Sequence, residues 1–186
     1  MPFSDFHFRP LDSGDAAGLY KLVQQNNARL KKYFPLTLEA VNSPSAAKRY
    51  VRENLEKMKE GTGYYFLVDY LPEQRPVALL ILKDINLRIP KAELAYFVDG
   101  SFEGRGLTTW AVGHLVHFAF NQLGFHKLFL LADEQNHGSC RVAEKNGFGC
   151  EGVLMDDYRT GVGDLINSRY YGLLKSKWES CRNEIL

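Results

Sequence analysis

Two glycines, Gly104 and Gly106, stand between a strand-like run, Glu93-Leu94-Ala95-Tyr96-Phe97-Val98, and a helix-like run that begins at Leu107. Missing Cβ atoms at such a junction let backbone N–H groups crowd around an anion, and a helix N-terminus adds a partial positive charge, so the pattern suits a phosphate. Gly-x-Gly alone suits a bare turn as well. Two familiar phosphate loops do not fit: no GxxxxGK[ST] occurs, and Thr109 stands where GxGxxG would need its third glycine. Upstream, Glu93 shares its strand with Leu94, Tyr96 and Phe97, surroundings that would desolvate a carboxylate and raise its pKa; a solvated or salt-bridged glutamate is the alternative. Downstream, Asn136 and Ser139 open a short helical run, where either could cap the helix. Cys140 has no identifiable histidine–carboxylate pairing and reads as a small buried residue rather than a nucleophile. His114-x-x-His117 has a spacing that could hold a metal, but with no carboxylate or cysteine partner evident it reads as a packing and surface pair, and no metal is expected.

The elements that must position these residues follow from periodicity. Phe6, Phe8 and Pro10 alternate with His7 and Arg9, and Asp12-Ser13-Gly14-Asp15 offers capping side chains before a helix over Ala16 to Gln25. Asn26 to Leu38 is mixed, a helix–helix connection or the wall of a groove. Ser43 and Pro44 start an amphipathic helix that runs to Lys59 and ends at Gly61-Thr62-Gly63. Tyr64 to Tyr70, Val77 to Ile85 and Ala92 to Val98 then read as three strands of an antiparallel meander. Beyond them the pattern changes: a helix over Leu107 to Leu123 leads to a continuous apolar strand, Lys127 to Ala132, which is the signature of a parallel crossover unit. A short helix, Ser139 to Asn146, and a closing pair of strands, Phe148 to Met155 and Ile166 to Leu174, complete the chain. The expected class is α/β with a mixed, mostly antiparallel sheet.

At 186 residues, residues 1–186 are expected to form a single domain with a core large enough to need neither disulfide nor metal. Hydrophobic residues make up 45% and the formal net charge is +1, which argues against disorder and gives no reason to expect nucleic acid or an anionic membrane as partner. Three cysteines, Cys140, Cys150 and Cys181, in no CxxC pair point to reduced thiols. No secretion signal and no run of membrane-spanning length is present, so the expected location is cytoplasmic.

Taken together, Glu103-Gly104-Arg105-Gly106-Leu107-Thr108 resembles the Q/R-x-x-G-x-G/A pyrophosphate loop of the GNAT superfamily of acetyl-CoA-dependent N-acetyltransferases. Asn136-x-x-Ser139, with Glu144-Lys145-Asn146-Gly147-Phe148 and Glu151-Gly152, resembles the downstream motif of its ribosomal-protein-alanine N-acetyltransferase branch. Phe8-Arg9-Pro10-Leu11 and Asn27-Ala28-Arg29-Leu30 extend the likeness toward the start. Two positions depart from the loop pattern, Glu103 for Gln or Arg and Thr108 for Gly or Ala; a carboxylate beside a pyrophosphate is unfavourable unless it points away, with Arg105 to offset it.

The resemblance implies a GNAT-like sheet with one parallel, splayed strand pair and helices on both faces. It implies acetyl-CoA as cosubstrate, held by the 103–108 loop, by the backbone of Phe97 and Val98 in the splay, and by Asn136. It implies direct transfer to a primary amine in a ternary complex, with Glu93 at the place of a strand glutamate used as base. The tyrosine that many members use as general acid is replaced by Ala143, and Ser139 is the substitute the branch suggests. A protein α-amine, with a pKa of about 7.7–8.0 against roughly 10.4 for lysine, needs less help from a base and is the expected acceptor. Polyamine or aminoglycoside-like amines come next, and a non-catalytic acyl-CoA-binding module is the alternative. Specificity is expected in the Tyr33 to Pro44 and Asp156 to Asn167 segments of a monomer or homodimer.

Overall fold

The computed structural model describes residues 3–183, with side chains through Ser180, so the thiol of Cys181 lies outside the described side chains. Four antiparallel strands open the sheet: β1 (Phe6–Pro10), β2 (Tyr64–Tyr70), β3 (Arg75–Asn86) and β4 (Lys91–Val98). The apolar runs of β2 and β3 are nearly continuous because both their faces are covered. In β3, Ala78, Leu80 and Leu82 face one core while Leu79 and Ile81 face the other, and β2 divides the same way, Phe66 and Val68 against Tyr65 and Leu67. The second face packs against helices α1 (Ala16–Gln25) and α4 (Pro44–Glu60). Ser43 caps α4 by accepting from the Ala46 N–H at 3.2 Å, and Gly61 ends it in the left-handed conformation. Between these helices lie α2 (Asn27–Tyr33) and α3 (Pro35–Ala40), which resolve the mixed stretch into two short helices.

The other face is covered by α5 (Leu107–Asn121), which buries Leu107, Ala111, Leu115 and Phe120, and by α6 (His137–Lys145). Helix α5 is the crossover from β4 to β5 (Lys127–Asp133), the parallel neighbour of β4. Strands β6 (Gly149–Arg159) and β7 (Leu165–Leu174) close the sheet in the order β1-β2-β3-β4-β5-β7-β6, so β7 inserts beside β5 and β6 becomes the edge. Helix α7 (Lys175–Asn183), which the periodicity does not announce, lays Trp178 against Phe120 at 5.3 Å between ring centres. Among the described residues no helix is long and apolar enough to cross a membrane.

Candidate active site

Strands β4 and β5 pair only over Lys91↔Lys127, Ala92↔Leu128 and Glu93↔Phe129, and diverge from there on. The Asp99 N–H donates to the Val77 carbonyl at 2.7 Å across the Ala78↔Val98 pair. By the alternation of an antiparallel ladder, the N–H and C=O of Val98 therefore face the gap, whereas those of Phe97 are directed at Leu79 of β3. Arg29 already uses the exposed side, its Nη1 donating to the Val98 carbonyl at 3.2 Å. The Phe97 ring leaves the gap as well, meeting Phe34 edge-on at 5.3 Å.

The 103–108 loop joins this gap to α5. Gly104 and Gly106 have φ of +70° and +82°, in the region where a side chain is strained. A Cβ at Gly104 would meet nothing within 4 Å, so dihedral angle and not crowding by the protein demands the glycine, and the space beside it is free. Gly106 is the N-cap of α5 and brings no side-chain acceptor to the first turn, which leaves N–H groups facing outward at the positive end of a 15-residue helix. Glu103 pairs with Arg29 and Arg105 lies over the Phe102 ring at 5.7 Å, so the carboxylate that departs from the loop pattern carries its own counter-charge.

A cavity of about 590 Å³ opens where the strands part, and Glu93, Tyr96, Asn136 and Ser139 all line it. Glu93 is both lining and ion-paired: its side chain is 13% exposed, and Lys83, its cross-strand partner, lies 2.8 Å away. Burial raises the Glu93 pKa, and Lys83 opposes that without reversing it. Desolvation lowers the Lys83 pKa, but Glu93 and then Asp84 more than offset it, so the ammonium is shifted up. Next to Lys83, Asp84 sits in a β-bulge with φ +49°, and its pKa is lowered, chiefly by a hydrogen bond with Glu93. Of two adjacent carboxyls, then, the one in the cavity wall is the one pushed toward holding a proton, the separation that acid–base work requires.

Across the cavity, the Tyr96 hydroxyl lies 3.0 Å from Ser139 Oγ. Burial pushes the Tyr96 pKa up to about 12, the hydrogen bond with Ser139 opposing it, so the phenol is protonated at neutral pH. Nothing local in the sequence marks this partner: Ser139 is 43 residues away in the chain, and a tyrosine in an apolar strand carries no signal of its own. Asn136 caps α6, its Oδ1 accepting from the Ser139 N–H at 3.1 Å while its side chain borders the cavity. Asp133, also lining it, accepts from Tyr33 Oη at 2.7 Å and the Gln135 N–H at 2.9 Å and pairs with Lys32 at 3.2 Å. Despite burial those donors hold its carboxyl below the usual range. Cys140 is buried, its Sγ 3.7 Å from the Asp133 carbonyl. His114 stacks on Phe8 and His117 bonds to Asn121, and among the described residues no three His, Cys, Asp or Glu gather as a metal would need.

A family model for the acetyltransferase (GNAT) domain matches residues 5–149. The chain is a GNAT-family acetyltransferase. As in that family, its cosubstrate is acetyl-CoA and its acceptor an amine. It is 30% identical over 175 residues, 92% of each chain, to the "Putative ribosomal N-acetyltransferase YdaF" of Bacillus subtilis (strain 168). It is 27% identical over 169 residues, 90% of this chain and 82% of the relative, to the spermidine N(1)-acetyltransferase of Escherichia coli (strain K12). The fold matches that of RimL, a ribosomal L7/L12 alpha-N-protein acetyltransferase solved in complex with coenzyme A, with a TM-score of 0.83 at 21% identity, covering 92% of this chain and 94% of that one.

Proposed function

We propose that this acetyltransferase, one domain spanning residues 1–186, acetylates a protein N-terminal α-amine in a ternary complex with acetyl-CoA. The observation that carries the reading is the convergence of Glu93 on one wall and Ser139 with Tyr96 on another, facing a single cavity at the β4–β5 splay. Acetyl-CoA supplies the acetyl group as a thioester. Backbone N–H groups from Gly104 through Thr108, with the α5 dipole and the Arg105 charge, hold the pyrophosphate; Glu103, paired with Arg29, stands aside. The gap-facing backbone of Val98 and the side chain of Asn136 hold the pantetheine arm, while Phe97 contributes by packing against Phe34.

Glu93 takes the proton that the attacking amine must lose. Lys83 keeps that carboxylate oriented, and burial keeps its affinity for a proton high. The Ser139 hydroxyl, in hydrogen-bond contact with a protonated Tyr96, holds a proton for the departing sulfur. An α-amine suits this base, since it is already partly neutral near pH 8. The free Cys140 and Cys150 fit a reducing, cytoplasmic location.

A second reading, a polyamine acceptor, is favoured by one observation: Glu53, Glu93, Asp133 and Asp157 all line the cavity. Thiol release from acetyl-CoA separates the two. Short peptides with free N-termini are expected to give the higher kcat/KM; spermidine turning over faster than every peptide would overturn the first reading, and coenzyme A binding with no release for any amine would leave a binding module.

Ser139→Ala should slow turnover by about 10²-fold, at the low end of what a positioned proton donor contributes. Its pH profile should stay unshifted, because the leaving group and not the amine is affected. Tyr96→Phe should give a comparable loss, and the double variant less than the product of the two, since the hydroxyls share one contact 3.0 Å long. Fully multiplicative losses in a folded double variant would show that they act separately.

A further inference from the structure

Arg29, on α2, is built into place. Its Nη1 donates to Asn26 Oδ1 at 3.0 Å and to the Val98 carbonyl at 3.2 Å. Asn26 is buried and is itself fixed, its Nδ2 donating to the Leu22 carbonyl at 2.9 Å and its Oδ1 also accepting the Gly100 N–H at 2.9 Å. A Cβ built at Gly100 would lie 2.8 Å from Arg29 Nη1, so the guanidinium rests against bare backbone. Two neutral acceptors, one at the α1–α2 junction and one on β4, thus hold Nη1, and Nη2 meets Glu103 at the start of the 103–108 loop. Glu103 has no such anchorage. Among the described residues its side chain bonds to Arg29 alone, and the two side chains are 43% and 55% exposed, a setting in which an ion pair is weak and readily exchanged.

The guanidinium therefore touches the gap-facing carbonyl of Val98 with one nitrogen and the first residue of the glycine loop with another. In coenzyme A the pantetheine arm is joined directly to the diphosphate, so a cation that bridges the place proposed for the arm and the place proposed for the diphosphate lies where the two meet. We infer that Arg29 is a further cofactor-binding residue: Nη2 binds the diphosphate of acetyl-CoA, which displaces the Glu103 carboxylate into solvent, one anion exchanged for another. Glu103 is the competing anion, and it keeps the cofactor's hold on Arg29 weaker than the guanidinium alone would give. The inference rests on the loop's holding the diphosphate, as proposed above.

Titration calorimetry with coenzyme A on Glu103→Gln, Arg29→Met and the double variant tests it, with Arg29→Gln, which keeps an N–H donor, should the methionine variant fail to fold. Glu103→Gln should tighten binding by about two- to fivefold, the size of an exposed ion pair, because the competitor is gone. In that background Arg29→Met should weaken binding about tenfold or more, the loss that one hydrogen bond to a charged group carries. In the wild-type background the same change should cost less, since Glu103 already competes there. If Arg29 served only to neutralise Glu103, its loss would weaken the wild type and leave the Glu103→Gln variant unchanged, and that result would overturn the inference. S-acetylpantetheine, the same thioester without phosphates, should show equal kcat/KM as acetyl donor in Glu103→Gln and in the double variant; a loss as large as that for acetyl-CoA would make the role of Arg29 structural and overturn the phosphate contact. Gly106→Val reads the loop separately: wild-type affinity there would sink the loop reading and this inference with it, whereas weakened binding there, with Arg29→Met silent in the Glu103→Gln background, would sink this inference alone.

Discussion

Replacing Glu93 by Gln should lower turnover by about 10²–10⁴-fold, the usual contribution of a positioned general base. The loss should be greatest between the Glu93 pKa, below which the wild-type base is itself protonated, and the amine's own pKa of about 7.7–8.0, and should shrink above the latter, where a growing share of the acceptor arrives neutral. The wild-type profile carries a further mark. A base works when deprotonated, so activity rises as pH climbs through the Glu93 pKa, which burial has raised above the usual carboxylate range. Lys83→Met removes the cation 2.8 Å away that favours the carboxylate, and so should move that rise to higher pH. Asp84→Asn should move it lower, because a neighbouring negative charge is lost. Steady-state rates across pH on the three variants decide the matter. Wild-type turnover in Glu93→Gln at every pH would take Glu93 out of the mechanism.

Gly106→Val should cost coenzyme A binding about 10²-fold or more, while the core stays folded. The position has φ +82°, where a β-branched residue is a steric outlier, at a strain of about 1–3 kcal/mol. Relief of that strain must rotate the peptide planes at the start of α5, the same planes whose N–H groups are proposed to hold the pyrophosphate. Two charge-assisted hydrogen bonds lost at roughly 1.5–3 kcal/mol each are enough for the predicted loss, at about 1.4 kcal/mol per decade. The nearest atom to a Cβ at Gly106 is Phe3 Cζ at 3.7 Å, so no clash with the core accompanies the change. Titration calorimetry with coenzyme A on the folded variant checks it, and wild-type affinity would remove the pyrophosphate from this loop.

Local chemistry settled a good deal before any tertiary contact. Helix α1 spans Ala16–Gln25 and strand β2 Tyr64–Tyr70, both as periodicity and capping residues predict, because those signals act within a few residues of the backbone they shape. The glycine pair between strand and helix was legible for the same reason: positive φ and an uncapped helix start are properties of the loop itself. What the chain could not announce are contacts made across the sheet. Whether Glu93 is solvated, buried or paired depends on β3 laying Lys83 opposite it, and on a bulge that keeps Asp84 alongside. The opposite direction of the Phe97 and Val98 backbone groups depends on the register of the same ladder. Glu103 has a counter-charge only because Arg29, 74 residues away, reaches it. Ser139 gains Tyr96, and Gly161 its need to be glycine, only when α6 closes on β4 and the last hairpin on α2. Sequence by itself therefore determined the elements, the glycine turn before α5 and the acetyltransferase likeness, which are short-range patterns. Tertiary structure decided the direction of the pKa shifts and the partners of the candidate site residues, because those depend on burial and on neighbours that pairing alone brings within about 3 Å, the range over which a hydrogen bond acts.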